Sequence, residues 1–340
     1  MIFSMIRSDI KGANIMNLES KLVTVIGGSG FVGSQFIQKL AKLGCRIRVG
    51  IRRPDLAGHL LPLGTVGQIL PIQVNVRNYD SVARAVNGAD IVINLAGIWY
   101  ERGKQKFDAV HNLGAANVAR AAKEADVERL VHMSELGANI DSKSTNLVAR
   151  QLGDDQVLKL FPKAIILRPS TIFGSGDRFF NLFGTWARMF PVFPVIGAKH
   201  KQQPVFVGDV AQALVLATSG KVRNGTIYEL GGPDVETMKE LMGRVLSTSN
   251  RSRLLIPMPT GLAKFEAVFL QILPNPWLTV DRVIRWNTDN IVSQDAIYEK
   301  RGFAAFDMEL ETMDAVLPTY MWRFCRRGQF EQVETASAKN

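Results

Sequence analysis

The chain has 340 residues, of which 46% are hydrophobic and 21% charged, and it contains two cysteines. This length and apolar content suffice to bury a large core, so we expect one large domain or two unequal ones. No stretch reaches the ~18 uncharged apolar residues that a membrane-spanning helix needs, and the amino terminus lacks the apolar run and cleavage site of a secretory signal. We therefore expect a cytoplasmic protein, soluble or peripheral to a membrane.

The formal net charge is +10 at neutral pH. Such a charge favours contact with phosphates, anionic lipid or an acidic protein partner. Nucleic acid is not an expected partner, because no basic run carries the interleaved aromatic residues of an RNA-binding module. Cys45 and Cys325 stand far apart and outside any metal-ligand spacing, which predicts two inert thiols and no metal site.

The first strong pattern is VTVIGGSGFVG at residues 23–33, an apolar run that ends in glycines and continues with helical spacing. It predicts a strand, a tight turn and a helix start, the arrangement that binds the pyrophosphate of a dinucleotide. Gly27 permits the turn, Gly30 lets the backbone approach the pyrophosphate, and Gly33 lets the helix pack closely on the strand. The predicted binding loop also includes Ser29, Phe31 and Val32.

Beyond this loop, predicted strands and helices alternate. The strands are expected at 22–26, 46–51, 69–74, 90–95, 128–133 and 164–167, and the helices at 31–43, 81–86, 107–124 and 146–160. Alternation with short turns predicts right-handed βαβ units and a doubly wound parallel α/β sheet of the Rossmann type.

After Pro169 the alternation loosens, and a second unit is expected. Residues 174–203 are rich in Phe, Pro and Gly and are predicted to leave the sheet, to which a strand at 205–207, a helix at 209–218 and a strand at 226–230 return. Helices predicted at 236–246, 261–273, 279–286 and 310–327 make the remainder mostly helical. The expected nucleotide-binding domain covers 21–173, with returning elements at 204–231. A smaller lobe is expected from 174–203 and 232–330. Residues 1–20 are expected to form an arm that is disordered or precedes the true start at Met16, and residues 331–340 a tail.

The end of the second strand indicates which nucleotide is bound. An NAD site of this design holds the ribose 2′-hydroxyl with a carboxylate about 20 residues beyond the glycines. No Asp or Glu occurs between Glu19 and Asp55, and the strand ends instead in Arg52 and Arg53. Guanidinium groups pair bidentately with a 2′-phosphate, so NADP(H) is the expected cofactor. The alternative is that both arginines only solvate a loop.

Further candidates lie at the ends of later strands, where ligands of open α/β sheets bind. His111, inside a predicted helix, is expected to be packed, and His132, with no carboxylate beside it in sequence, is assigned no chemistry. The additional cofactor-binding candidates are Asn75, Val76, Leu95, Ala96, Gly97, Ser134 and Pro169.

The glycine loop, Arg52, the turn at 94–97 and Ser134 resemble the extended short-chain dehydrogenase/reductase superfamily. The resemblance implies a catalytic Ser at the end of strand five and a Tyr-x-x-x-Lys pair on the next helix, in which the Lys lowers the pKa of the Tyr that transfers a proton. Ser134 matches, but the best register places Val148 and Leu152 at the Tyr and Lys positions. Aliphatic side chains transfer no proton, so we expect no catalytic residue and a vestigial Ser134.

Segments beyond the sixth strand extend the resemblance to one atypical branch. They are RPSTIFG at 168–174, GDRFFN at 176–181, QPVFVGDV at 203–210, YELGGP at 228–233, LTVDRV at 278–283, DNIVS at 289–293 and YMWRF at 320–324. These are similar to the NADPH-binding accessory subunit of respiratory complex I, the alpha subcomplex subunit nine family, and its bacterial relatives. The resemblance runs from about residue 16 to about residue 330. This sequence departs from that family at Asn75, which replaces the Asp common at the adenine contact and weakens that one hydrogen bond.

This resemblance implies an NADP(H)-binding protein without turnover, associated with complex I (NADH:ubiquinone oxidoreductase) or its assembly. The implied partners are peripheral-arm subunits or assembly factors near the quinone-reducing end, at the membrane surface. Two alternatives stay open: an NADP(H) redox sensor, and an active NADP-dependent reductase or isomerase, for example in quinone metabolism. The acid and base candidates for such an enzyme are Tyr100, as the best one, Glu135, Lys143, Asp154 and Asp155.

Two carboxy-terminal segments bear on docking. Apolar residues recur with helical spacing over 262–273, and residues 322–327 combine aromatic and basic side chains. Both suit an anionic membrane surface, here the inner face of the plasma membrane, or a partner subunit. For residues 262–273 we favour a helix whose apolar side chains pack on the protein's own core. For residues 322–327 we favour an ordinary solvated helix end.

Overall fold

The structure is a computed structural model, and it describes residues 17–328 and 330. Seven parallel strands form the central sheet in the order β3-β2-β1-β4-β5-β6-β11, which confirms the predicted doubly wound Rossmann architecture. These strands are β1 (Leu22–Ile26), β2 (Arg46–Ile51), β3 (Ile69–Gln73), β4 (Ile91–Asn94), β5 (Arg129–Met133), β6 (Ile165–Pro169) and β11 (Ile227–Leu230).

Helices cover both faces of this sheet, which is why its central strands are apolar on both sides. Helices α1 and α6 share a core with one face, and α2, α3 and α4 pack on the other. The helices are α1 (Phe31–Ala41), α2 (Tyr79–Val86), α3 (Leu113–Glu124), α4 (Thr145–Leu160), α5 (Phe180–Met189), α6 (Val207–Thr218), α7 (Met238–Thr248), α8 (Thr260–Leu270), α9 (Val280–Trp286), α10 (Gln294–Tyr298) and α11 (Met313–Met321).

The order of the strands reverses beside β1, and this reversal fixes the place of the site. Ile26, the last residue of β1, lies opposite Gly50 on one side and Asn94 on the other. The carboxyl ends of β1, β2 and β4 therefore meet at one edge, with the glycine loop at the point where ligands of such sheets bind.

Outside the main sheet, three short strand pairs depart from the prediction. Residues 205–207 were expected to return to the sheet, but β11 occupies the place beside β6, and Val205–Phe206 pairs instead with Ile172–Phe173. The expected excursion at 174–203 holds α5 and two strands. The remaining strands are β7 (Ile172–Phe173), β8 (Val192–Ile196), β9 (Lys201–Gln202), β10 (Val205–Phe206), β12 (Glu236–Thr237) and β13 (Leu254–Met258), of which β8 pairs with β13 and β9 with β12.

A second hydrophobic core joins α5, α7, α8, α9 and α11, with aromatic side chains such as Phe183 and Trp286 at its centre. The helix predicted at 310–327 is shorter, since α11 ends at Met321 and a 3-10 turn follows at 322–324. At the amino terminus, Leu18 is buried in the first core, so the described part of the predicted arm is folded. Residues 1–16 and 331–340 lie outside the described residues.

Two predictions of burial are wrong: the solvated helix end at 322–327 buries Phe324 and Cys325, and helix α8 exposes its large apolar side chains. Only Ala263 and Ala267 of this helix are buried, because these small side chains let it lie close to the second core. The large apolar side chains of the helix and its end face solvent, and we call them the α8 apolar surface: Leu262, Phe265, Val268, Phe269, Ile272 and Leu273. Across residues 17–328 and 330, no helix has both the length and the apolar character to cross a bilayer.

Candidate functional site

The three predicted glycines differ in why they are needed. Gly27 has a positive φ of 82°, and a Cβ added to it would lie 2.8 Å from the backbone nitrogen of Ala96. A Cβ on Gly33 would lie 2.4 Å from the carbonyl oxygen of Gly28. A Cβ on Gly30, by contrast, would touch only the Gly27 oxygen, at an ordinary 3.5 Å. The fold itself therefore requires Gly27 and Gly33, whereas Gly30 leaves exposed space above the loop.

The start of α1 fits a bound anion in that space. Gly30 is the N-cap residue, so no side chain caps the helix, and no acidic residue occurs in its first turn. The first N–H groups and the positive end of the helix dipole are thus available to a pyrophosphate. Ser29 is exposed beside these N–H groups, and Val32, in the first turn of α1, is buried.

Phe31 connects this loop with the segment after β7. A Cβ on Gly176 would lie 3.1 Å from the ring of Phe31, and a Cβ on Gly174 would lie 3.3 Å from it. The ring therefore packs directly against two glycines that make room for it. Phe31 therefore joins the start of α1 to the segment at 174–176.

The two arginines at the end of β2 have different surroundings. Arg53 pairs with Asp55, with 2.7 Å between Nη2 and Oδ2. Arg52 is exposed, and within residues 17–328 and 330 its side chain has no hydrogen bond or ion pair. Among the described residues, Arg52 is thus an unpaired cation at the carboxyl end of β2, while Arg53 is already engaged by Asp55.

The candidates at the ends of β3 and β4 line the same edge. The Asn75 side-chain oxygen accepts a 3.2 Å hydrogen bond from the Arg77 backbone N–H, which holds the turn after β3. Asn94 similarly accepts from the backbone N–H of Ala96 at 3.2 Å. Val76 and Leu95 lie in these two turns, and Pro169 ends β6. Their contacts with a nucleotide remain predictions.

A cluster of polar side chains lies at the ends of β4 and β5. Glu135, directly after Ser134, lies 3.1 Å from Arg150 Nε and accepts a 3.2 Å hydrogen bond from Asn146 Nδ2. A Cβ on Gly97 would lie 3.3 Å from Arg150 Nη2. We call Glu135, Asn146 and Arg150 the α4 polar cluster; its helical members face the edge of the sheet where the glycine loop lies.

This geometry corrects the register that placed Val148 and Leu152 at the Tyr and Lys positions. Residues two apart on an α-helix point about 200° away from each other. Val148 therefore lies on the side of α4 opposite Asn146 and Arg150, and Leu152 shares that opposite side. The i, i+4 pair that faces the site is Asn146 and Arg150. In the sequence this pair is the Asn-x-x-x-Arg spacing that begins two residues before Val148.

The corrected register changes what the site retains. Burial lowers the pKa of Arg150 to about 10, so this residue still carries its charge at neutral pH. The Asn146 amide has no ionisable proton, so the cluster has a cation but no phenol-like acid. Asn146 Oδ1 is buried without a hydrogen-bond partner among the described residues. Such an atom is costly unless a ligand or water satisfies it, which fits a bound polar group.

A second buried network lies behind this cluster. Arg168 Nε donates a 2.8 Å hydrogen bond to Asp154, and His132 Nε2 lies 3.5 Å from the same carboxylate. Burial raises the pKa of Asp154 and lowers that of His132 to about 3, so His132 is neutral. The sequence places no carboxylate beside His132, but α4 supplies one. Ser134 is buried beside Asp154, and its Oγ has no hydrogen-bond partner among the described residues; its lack of a catalytic role stays a prediction.

The other acid and base candidates do not converge on this cluster. The Tyr100 hydroxyl donates to the backbone oxygen of Pro274 at 3.3 Å. Asp155 accepts a hydrogen bond from Gln151, and Lys143 is exposed. His111 is packed as expected, with Nε2 3.3 Å from the Ile98 oxygen and a pKa lowered by burial.

Comparison with known proteins identifies the family. The NAD(P)H-binding domain family matches residues 27–159, which run from the glycine loop to the end of α4. The mouse (Mus musculus) NADH dehydrogenase [ubiquinone] 1 alpha subcomplex subunit 9 is 31% identical over 327 residues, covering 94% of this chain and 85% of that protein. The chain belongs to the subunit 9 family.

Other relatives support this assignment. The subunit 9 protein of Arabidopsis thaliana is 34% identical over 81% of this chain and 72% of its own length. A nucleoside-diphosphate-sugar epimerase from Staphylococcus aureus superposes with a TM-score of 0.69 at 12% identity, over 87% of this chain and 99% of that one, and shows the shared fold. Together with the match to the NAD(P)H-binding domain family, these relatives support a nicotinamide dinucleotide as the cofactor.

Proposed function

We propose that this subunit 9 family member is a non-catalytic NADP(H)-binding protein associated with respiratory complex I or its assembly. The observation that carries the proposal is Asn146, an amide at the one helical position where the site needs an ionisable proton donor. It stands beside an intact glycine loop, so binding is kept while proton transfer is lost. The assembly named for the relatives in the same family supplies the proposed partner.

The residues present fit NADP(H) rather than NAD(H). In the proposed complex, the pyrophosphate lies on the loop from Gly27 to Gly33, and Arg52 pairs with the 2′-phosphate. Arg53 takes no direct part, because Asp55 already neutralises it. The turns after β3 and β4 hold the adenosine, with Asn75, Val76, Leu95, Ala96 and Gly97. Bound NADPH would carry a transferable hydride, but the cluster offers the acceptor no proton.

A retained nucleotide separates this proposal from its two alternatives. Protein purified without added cofactor is expected to release NADP(H) on denaturation, detected by mass spectrometry. An exchangeable nucleotide would instead favour the redox sensor. Protein-dependent oxidation of NADPH by quinones, lost in Arg150→Met, would favour the reductase and overturn the non-catalytic assignment.

The second part of the proposal concerns docking at a membrane. The α8 apolar surface exposes two aromatic rings, Phe265 at 64% and Phe269 at 59%. Strand β13, which leads into α8, adds exposed Leu254 and Ile256. Contiguous apolar surface of this kind marks an interaction site on a folded protein. We propose that it contacts the acyl boundary of the inner face of the plasma membrane, with the rest of the protein in the cytoplasm.

Positive charge at the start of β13, beside exposed Leu254, supports an anionic leaflet as the partner. Burial lowers the pKa of Arg251, and the nearby charges of Arg253, Arg326 and Arg188 lower it further. Arg251 and Arg253 immediately precede β13. Arginines beside an apolar face favour lipid headgroups that carry negative charge.

Vesicle flotation tests this contact. The wild type is expected to float with vesicles that contain phosphatidylglycerol and to float less with pure phosphatidylcholine vesicles. The double variant Phe265→Ser/Phe269→Ser is expected to stay in solution, whereas Leu56→Ser, at an equally exposed position of the nucleotide-binding half, should float like the wild type. Equal flotation of both variants would contradict the membrane contact.

Loss of co-migration with NADH dehydrogenase activity in native gels, in the double variant alone, would link the surface to complex I.

A further inference from the structure

The path of the dinucleotide places its nicotinamide half near the α4 polar cluster. The glycine loop follows β1, and the free Arg52 follows β2, on the side of β1 that leads to β3. A dinucleotide lies across the reversal of strand order. If its phosphorylated adenosine half lies toward Arg52, its other half must extend over β4 and β5, where Gly97 and Arg150 lie.

The charge at that end of the cleft is positive. Glu135 is shared between two guanidinium groups, those of Arg150 and Arg285, so one negative charge faces two positive ones. Two further carboxylates are mainly engaged elsewhere: Asp154 pairs with Arg168, although its charge also favours the charged form of Arg150, and Asp281 accepts hydrogen bonds at the start of α4. Both neighbouring histidines, His111 and His132, are neutral, and the charge of Arg150 contributes to lowering their pKa values.

The two redox forms of the cofactor differ at this end alone. The oxidised nicotinamide ring carries a positive charge, whereas the reduced ring is neutral. A fixed cation in a water-poor site repels the first and is indifferent to the second. We infer that Arg150 makes the site select the reduced nucleotide, so that NADPH binds more tightly than NADP+. This inference rests on the proposed dinucleotide site and adds a specificity-determining residue to it.

Binding measurements with three ligands test the inference. The dissociation constants of NADPH, NADP+ and 2′,5′-ADP would be measured by calorimetry for the wild type, Arg150→Lys and Arg150→Met. The wild type is expected to prefer NADPH by about tenfold or more, which corresponds to about 1.4 kcal/mol. Arg150→Lys keeps the charge and should keep the preference. Arg150→Met should reduce it to less than about threefold, mainly through tighter binding of NADP+.

Each outcome decides something different. Because 2′,5′-ADP lacks the nicotinamide, its affinity should be equal in all three proteins. Equal affinities would show that the variants are folded and that the part of the site that binds adenosine is intact. Arg150→Met leaves Glu135 paired with Arg285, so no carboxylate loses its last partner. Equal affinities of the wild type for NADPH and NADP+, or an unchanged preference in Arg150→Met, would overturn the inference alone. Failure of the wild type to bind 2′,5′-ADP would instead overturn the proposed NADP(H) site.

Discussion

Arg150 and Glu135 form a largely buried ion pair, with 3.1 Å between Nε and Oε2, although they lie 15 residues apart on different elements. The same carboxylate pairs with Arg285 on α9. Asp281, also on α9, accepts hydrogen bonds from Ser144 and from the backbone N–H of Asn146. The α4 polar cluster is thus tied through Glu135 to α9, a helix of the second core.

Glu135→Gln is expected to destabilise the protein, because it leaves two buried guanidinium groups without a carboxylate. We expect the free energy of unfolding to fall by about 2 kcal/mol or more, measured by urea denaturation. Asp55→Asn, which breaks the exposed pair with Arg53, is the control and should cost less than about 1 kcal/mol. Equal losses in the two variants would show that Glu135 does not hold the two parts together.

Two glycine variants separate folding from binding. Gly33→Ala would force a Cβ into the Gly28 backbone and should lower the free energy of unfolding by about 2 kcal/mol. Gly30→Ala should leave stability within about 0.5 kcal/mol of the wild type, yet weaken NADPH binding at least about tenfold, since its methyl group fills the space above the loop. Thermal unfolding and calorimetry check the two effects. Unchanged NADPH affinity in Gly30→Ala would exclude the pyrophosphate from this loop.

Arg52 and Arg53 are adjacent and should still differ in their effect on affinity. Arg52→Gln removes the charge that we assign to the 2′-phosphate and should weaken NADPH binding by about tenfold to a hundredfold, with little change for NADH. Arg53→Gln removes only the partner of Asp55 and should leave both affinities within about threefold. Calorimetric titration with each nucleotide decides this. A larger loss in Arg53→Gln would reverse the assignment.

Asp209 gives the stability of the protein a specific pH dependence. Burial raises the pKa of this α6 side chain from 3.8 to about 6, while the Glu311 backbone N–H donates to its carboxylate at 3.0 Å. Its unfolded pKa is lower, so its contribution to stability is present below about pH 4 and lost as pH rises through about 6. Asp209→Asn should therefore be more stable than the wild type by about 2 kcal/mol near neutral pH and equal to it near pH 4. Urea denaturation across this range would contradict the account if the difference did not grow with pH.

The sequence sufficed for the sheet and for the glycine loop, because both depend on local patterns. Runs of Val and Ile predict the buried strands, and Gly27 predicts the tight turn after the first strand, in both cases from residues that are neighbours in the sequence. The register on α4 failed for a physical reason. A motif defined by Tyr and Lys gives no match when both are replaced, and only tertiary contact with Glu135 and Gly97 identifies Asn146 and Arg150 as the pair that faces the site.

The surroundings of single side chains were also beyond the sequence. His132 meets Asp154 because β5 and α4 are neighbours in space, not in sequence. The α8 stripe has the spacing of a core helix, but two alanines and the partly buried Leu270 make its contact with the second core, and the other large side chains stay outside. Periodicity predicts that a face is apolar; it does not say what covers that face.

The most direct test of the central claim follows the nicotinamide of a stoichiometric NADPH complex in a single-turnover experiment. Purified protein loaded with NADPH would be mixed with ubiquinone analogues, and the absorbance of the reduced nicotinamide monitored. We predict that NADPH stays bound and that its absorbance does not change faster than in a protein-free control. Protein-dependent loss of that absorbance, with NADP+ recovered by mass spectrometry, would contradict the claim that the site binds its nucleotide without turning it over.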